Sequence, residues 1–379
     1  MLSGGGARAA YQAGVLCTIG RREPNLRVPI LTGVSAGAIN LGFLASYRGP
    51  FGEATKALKR RWLSLSTEEV FKANPSSLFR NGIRIGTALV GGGSALSPKI
   101  RGFIDTSPLR SFLSRSIRQG AIDERLRDGE LEAVALSALS YQTGRTVLFV
   151  QGEAGVRTVP SSVHHRVVRA PITVNHIMAS AAIPLLFPAI KVGQQYYGDG
   201  SFRSTAPLGP AIQLGAHRIF AISARYARSM PEARQPEVIG YPPAARVLGL
   251  LLNSVFLDTL DWDAANLARI NRLVDQLPAG ADAGGLRHVD LYIQRPSKDI
   301  GVLATRFEDR LPRAMRFLVR GLGSSGSKSA DLLSYLLFES AYISELIELG
   351  EQDAETHWDE ISPFLEGGAV TAEPALPPP

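Results

Sequence analysis

Three short stretches of this 379-residue chain carry residues whose types and spacing could do chemistry. The first is Gly33-Val34-Ser35-Ala36-Gly37, a G-x-S-x-G pattern. Such a pattern seats a serine on a tight strand-to-helix turn, where the flanking glycines remove side chains that would collide. Alone it is weak, because glycine and serine are common enough for a chance match. Its context strengthens it: the apolar run PILTGVS leads into the serine, and the small, apolar AGAINLGFLASY follows, as strand and buried helix. The second stretch, SGGGARAAYQAGVL, is a glycine turn that could cradle a phosphate, a dinucleotide or an oxyanion. The third is YYGDGS, where Gly198 and Gly200 frame Asp199 just past a strand candidate. On its own that feature reads as a turn-forming Asp-Gly.

The glycine turn separates a nucleotide-binding protein from a serine hydrolase. Gly4-Gly5-Gly6-Ala7-Arg8-Ala9 fits the dinucleotide fingerprint G-x-G-x-x-A, which also wants an acidic residue at the end of the next strand. Here that strand ends in Ser35, and no G-x-x-x-x-G-K-[ST] phosphate loop stands at this site. The amides of Gly5, Gly6 and Ala7 would instead point from a helix N-terminus toward developing negative charge, as an oxyanion hole needs. Parallel strands end on the same edge of a sheet, so this turn and Ser35 lie side by side if their strands are neighbours.

A nucleophilic serine needs a base. The six histidines are His164, His165, His176, His217, His288 and His357, and none sits in a glycine-framed loop after a strand. His176 lies in an apolar run that suits a packing role, and His217 and His288 precede strand candidates, the wrong end for a site. Asp199 is the better candidate. A serine esterase of the ordinary α/β-hydrolase type, with a histidine base, stands as one rival; a nucleotide- or membrane-binding protein with an inert serine is another.

Glycine turn, serine elbow and Asp-Gly after a strand, in that order, resemble the patatin-like phospholipase family. SGGGARAAYQAGVL, GVSAGAIN, ASAAIPLLFPAI and GDGS all look like its signature stretches, and the resemblance covers about the first 210 residues. It implies a three-layer α/β/α fold, a Ser-Asp dyad without histidine, and hydrolysis of acyl esters in lipids. Carried over residue by residue, Ser35 is the nucleophile and Asp199 the base. Gly4, Gly5, Gly6, Ala7 and Arg8 form the oxyanion hole, Gly33 and Gly37 frame the elbow, and Gly198 and Gly200 frame the base loop. No metal or cofactor is required. Two positions depart from the family pattern: Ala9 ends the glycine motif where glycine is usual, and Ser201 follows Gly200 where glycine or alanine is usual. A hydroxyl at 201 would hydrogen-bond Asp199 and lower its pKa. Arg8 reads as a structural salt bridge, and AAIPLLFPAI as an apolar wall or plain core packing in equal measure.

The elements that must position these residues follow an α/β pattern. Two βα units open the chain, the first with Met1 to Ser3 as a strand stub and a helix through Tyr11 to Thr18, which implies a mostly parallel central sheet. Residues 51–130 read as a helical and loop insertion, with helices at EATKALKRRWLSLS and SPLRSFLSRSI. LEAVALSALSYQTGRTVLFVQG returns to strands joined by a turn at QTGR. QQYYGDG, HRIFAISAR and HVDLYIQR are later strands, so the catalytic core is expected at 1–210 and a continuation of the sheet at 211–297. Residues 298–366 form a C-terminal helical region, in which SADLLSYLLFESAYISELIELG is one helix closed by Gly350. Residues 367–379 read as a disordered tail.

Lys and Arg outnumber Asp and Glu by 41 to 34, giving a net charge of +7. An anionic membrane surface, an acidic lipid or a nucleic acid would all be drawn to such a chain, so charge narrows the partners only weakly. With the family resemblance, the expected partners are a lipid substrate and an anionic membrane surface, not nucleic acid. The single cysteine, Cys17, excludes an intramolecular disulfide and a cysteine-rich metal cage, and its apolar neighbours place it in the core. No apolar stretch is long and unbroken enough to span a bilayer. The expected location is cytoplasmic or peripheral to a membrane, with the strand before SGGG beginning upstream of Met1. Drawn as one helix, 306–322 gathers Arg306, Arg310, Arg313, Arg316 and Arg320 on one arc, with Phe307, Leu311, Met315, Leu318 and Leu322 opposite, a pattern suited to an anionic interface or to a solvated face; Pro312 would start that helix late.

Overall fold

Leu2 joins the two halves of the central sheet. It forms parallel bridges to Gly33 on one side and Ile222 on the other. Its N–H donates to the Thr32 carbonyl at 2.9 Å, its carbonyl accepts from Val34 N–H at 3.3 Å, and Ser3 N–H donates to the Ile222 carbonyl at 3.2 Å. The strand stub read from the sequence is therefore hydrogen-bonded on both edges. The structure, a computed structural model, describes residues 1–72, 104–153, 161–235, 241–256, 258–278, 281–311, 316 and 330–367.

After a 3-10 turn at Gly6–Ala9, helix α1 (Ala10–Arg22) leads to β1 (Ile30–Val34) and the almost wholly buried α2 (Ala36–Ser46). Helices α3 (Phe51–Leu63), α4 (Thr67–Val70), α5 (Ser107–Ser116) and α6 (Ala121–Arg127) follow. The glycine-rich stretch NGIRIGTALVGGGSALSP lies outside the described residues. Strands β2 (Ala133–Ser140) and β3 (Thr146–Gly152) form the antiparallel pair expected around QTGR. Strand β4 (His165–Arg169), helix α7 (Val174–Ser180), β5 (Ile190–Val192), β6 (Gln195–Asp199), β7 (Arg218–Ile222) and β8 (Asp290–Gln294) complete the α/β part. Between β7 and β8 come α8 (Ala244–Phe256) and α9 (Asp258–Asp275).

The sheet runs β4-β3-β2-β6-β5, with β1 also parallel to β2, and Leu2 connects β1 to the parallel pair β7-β8. Parallel pairing dominates its centre, antiparallel pairing is confined to β2-β3, β2-β6 and β5-β6, and helices flank the sheet, as an α/β/α fold requires. Strand β2 is buried along nearly all of AVALSALS, as a strand covered on both faces must be. It pairs with β1 over its first half and with β6 over its end, where Ala138 faces Asp199. One strand thus carries both the serine element and the aspartate element.

The C-terminal region differs from the sequence reading in two places. The expected single helix is two, α11 (Ala330–Leu336) and α12 (Ser340–Thr356), after α10 (Ile300–Thr305) and before α13 (Trp358–Glu366). Gly350 does not close a helix. A Cβ there would stand 2.3 Å from the Tyr11 carbonyl, and one on Gly14 would stand 2.1 Å from the Ile347 carbonyl. Both glycines are spent on the close crossing of α1 and α12. The helix drawn through 306–322 is also interrupted: Arg306 caps α10, Glu308–Arg310 is a 3-10 turn, and Leu311 is extended with ψ 142. Pro312 accounts for this, because proline disfavours helical backbone at the residue before it. Beyond Leu311 only Arg316 of that stretch is described, and the tail after Gly367 is not.

Candidate active site

Ser35 sits between β1 and α2 at φ 55 and ψ −129, a backbone conformation that costs a non-glycine residue about 1–3 kcal/mol. The elbow is held by contact on every side. A Cβ on Gly37 would stand 2.3 Å from the Leu2 carbonyl, and one on Gly33 2.9 Å from the Gly37 carbonyl. Ser35 N–H donates to Ser180 Oγ at 3.0 Å, and that hydroxyl donates in turn to the Ser137 carbonyl at 2.7 Å. The end of α7 therefore ties the elbow to β2.

The glycine turn lies against this serine. A Cβ on Gly4 would be 3.1 Å from Ser35 Cβ and 3.0 Å from Ser201 Oγ, so the three loops meet tightly around a residue without a side chain. Gly5 at φ 153 and Gly6 at φ 57 turn the chain into the helix, and Ala7 and Arg8 are buried within its first turn. The first amides of a helix have no intrahelical acceptor and form its positive end. Arg8 forms the expected salt bridge: its Nη2 donates to Asp331 Oδ1 at 3.1 Å, its Nε to Ser334 Oγ at 2.7 Å, and its guanidinium lies 4.4 Å from the Tyr335 ring centre. Burial opposes ionisation of Asp331, but Arg8, Asn253 and Arg246 outweigh it and hold the carboxyl below its ordinary pKa. Gly6 packs on the same helix, where a Cβ would meet the Tyr335 carbonyl at 2.3 Å.

Asp199 ends β6 with no exposed surface. Its N–H donates to the Ala182 carbonyl at 2.8 Å, and its Oδ1 accepts from Ser201 N–H at 2.9 Å. Gly200 permits close passage over β2, since a Cβ there would stand 2.2 Å from the Ser137 carbonyl, and Gly198 leaves room for the Tyr141 hydroxyl. Burial pushes the Asp199 carboxyl up to about 7, with the Ser35 hydroxyl and the Ser201 amide and hydroxyl pulling the other way. Oδ2 has no partner at hydrogen-bond geometry, and neither has Ser201 Oγ. Ser35 is thus close enough to act on Asp199 without a formed, aligned hydrogen bond, the looseness usual for catalytic pairs before substrate arrives.

Ser35, Gly6 and Ala36 line a cavity of about 50 Å³ whose other walls are mostly apolar, among them Phe43, Trp62 and Phe338, with Arg61 and Ser116 as polar exceptions. Ala181, Ile183 and Phe187 bring the run AAIPLLFPAI into that wall. None of the six histidines lines it. His176 instead bonds Thr173 Oγ1 at 2.9 Å and packs edge-on to Phe149, and burial lowers its pKa. Cys17 is buried, and its thiol pKa is raised by that burial.

The structure brings Ser35, Asp199 and the glycine turn together. Sequence reasoning missed Ser180, although ASAAIPLLFPAI contains it, and missed Asp331, Ser334 and Tyr335 altogether. Only the distant helix α11 shows what Arg8 is for.

Residues 1–212 match the sequence model of the family described as patatin-like phospholipase. No protein of curated function matches the chain. Among solved structures, VipD from Legionella pneumophila is similar at 11% identity and a TM-score of 0.34, over 94% of this chain and 66% of that one. The family match spans more than half of the chain and contains the elbow, the glycine turn and the Asp-Gly loop, so this protein belongs to the patatin-like phospholipase family and carries its lipid-hydrolase domain.

Proposed function

We propose that the chain hydrolyses carboxylic ester bonds of lipids with Ser35 as nucleophile and Asp199 as base. The observation that carries this reading is the buried Asp199, with a pKa near 7 and an unpartnered Oδ2, beside a strained serine that opens onto an apolar cavity. Asp199 Oδ2 accepts the Ser35 proton as Oγ attacks the ester carbonyl. Amides of the Gly4–Arg8 turn stabilise the tetrahedral oxyanion. The alcohol leaves with the proton from Asp199, and the acyl group stays on Ser35. Water, deprotonated by Asp199, then attacks the acyl-enzyme, and Ser35 recovers its proton as the fatty acid departs. A dry site keeps the carboxylate basic enough for this work.

A fluorophosphonate probe tests the assignment. It should label the wild-type protein on the peptide containing Ser35, and a variant with all six histidines changed to Gln should be labelled at a comparable rate. Loss of labelling in that variant would return the base to a histidine.

The Arg8–Asp331 pair yields a separate expectation. Asp331→Asn leaves Arg8 buried with half its partner and frees the first turn of the oxyanion loop to shift. Misplacing catalytic groups by about 1 Å costs on the order of 100-fold. The fall should appear in kcat with KM nearly unchanged, because substrate binding in the apolar cavity is untouched. A change confined to KM would mean that Asp331 acts on the binding site and not on the oxyanion turn.

A further inference from the structure

The apolar cavity beside Ser35 adjoins a second, open depression of about 630 Å³. Phe43, Arg61 and Ser116 line both. The character of the lining changes abruptly there: the second depression is bordered by Arg48, Arg60, Arg61 and Arg118, with no acidic residue in its wall among the described residues. Arg118 and Ser116 continue into a further groove beside α5, which adds Arg110 and Arg115 and again has no acidic residue among those described. Glu124 engages Arg48 at 2.8 Å and Arg118 at 3.3 Å, so part of this charge is answered within the protein. Arg60 and Arg61 are exposed on the last turn of α3, with no acidic side chain within ion-pair distance among the described residues, and Arg115 is likewise exposed on α5. Ser116 Oγ, where the arginine rim meets the apolar cavity, is buried without a hydrogen-bond partner.

An apolar cavity that holds the nucleophile and opens beside a one-signed rim matches the layering of an anionic bilayer, acyl chains beneath phosphates. We propose that the arginine rim formed by the end of α3, the end of α5 and Arg118 docks this protein on anionic phospholipid bilayers and sets the apolar cavity against the surface from which acyl chains enter. Exposed arginines hold phosphate oxygens without being withdrawn from water, and the orphan Ser116 hydroxyl supplies a donor at the boundary. The second half of this statement rests on the hydrolase reading above; the docking itself does not. The rim also gives part of the net charge of +7 a location beside the cavity.

Sedimentation with vesicles tests the docking, using Ser35→Ala protein so that lipid is not consumed. Each basic side chain near an anionic surface strengthens binding roughly five-fold, so Arg60→Gln/Arg115→Gln/Arg118→Gln should lose on the order of 100-fold in partitioning onto vesicles of phosphatidylcholine with phosphatidylglycerol. Partitioning onto phosphatidylcholine alone should not change. The same three positions as Lys should recover most of the binding, since a surface field reads charge more than fork geometry. In the active protein, the Gln variant should cleave a soluble short-chain ester at the wild-type rate and vesicle phospholipid more slowly. Anionic-vesicle binding within two-fold of the parent, or a Lys variant no better than the Gln variant, overturns the proposal. A protein that binds anionic vesicles through this rim yet cleaves no ester keeps the docking and removes the hydrolase reading. One that cleaves soluble esters but does not prefer anionic vesicles does the reverse.

Discussion

Ser35→Ala should lower ester hydrolysis by on the order of 10⁶-fold, to the level left by binding and the oxyanion turn alone. The fold should survive, because the features that build the elbow are not made by the hydroxyl. The Ser35 N–H bond to Ser180 and the close contacts of Gly33 and Gly37 persist in the variant. Alanine keeps the Cβ and therefore the strain at φ 55, so its thermal midpoint should match the wild type. Ser35→Gly should be equally inactive but more stable by about 1 kcal/mol, since glycine adopts this backbone without penalty. Melting curves and turnover of a soluble ester on the three proteins check both halves. More than about 1% residual turnover in clean Ser35→Ala protein would remove Ser35 from the chemistry.

How much of this site could be read from the chain depends on how locally each part is specified. Gly33, Ser35 and Gly37 are constrained by a turn of five residues, and Gly198 to Gly200 by one of three, so residue types mark them as candidates that their order along the chain then joins into one site. The alternation and apolar runs likewise mark β1, β2, β3 and β6, because a buried strand must read that way whatever it pairs with. The contacts that turn these pieces into a site are distant in sequence. Leu2 lies between Gly33 and Ile222, and nothing in MLSGGG states that its carbonyl will face Gly37. Asp331 meets Arg8 across almost the whole chain, and its helix has no motif to announce it. Gly350 shows the opposite difficulty. Glycine signals a helix end and a close helix crossing by the same absence of a side chain, and only the presence of Tyr11 opposite distinguishes them. The arginine rim is of this kind too. Arg60, Arg61 and Arg118 are ordinary basic residues of two helical regions until the fold sets them around one opening.

Asp199→Asn should cost turnover about 10²- to 10⁴-fold, the usual worth of a general base, and should at the same time make the protein more stable at neutral and alkaline pH. The two effects share one cause. Burial raises the carboxyl from an ordinary 3.8 to about 7. The folded chain therefore binds a proton that the unfolded chain has released between about pH 4 and 7, and stability falls as pH rises through that window. The cost of holding Asp199 ionised is fully present above about pH 7, absent below about pH 4, and amounts to about 4 kcal/mol at most. The amide carries no charge, and its new N–H group has two hydroxyls beside it to donate to, those of Ser35 and Ser201, the latter without a hydrogen-bond partner. Asp199→Asn should thus melt above the wild type at pH 8 and together with it near pH 4. Turnover of the wild type should follow the reverse profile, rising with pH to a plateau as Asp199 ionises, with its midpoint near 7. Ser201→Ala removes one of the groups that lower that value, so its rate profile should move to higher pH with the plateau little changed. An Asp199→Asn protein that keeps most of its activity, or a stability difference that does not shrink on acidification, would mean that Asp199 is not the ionised group of the site.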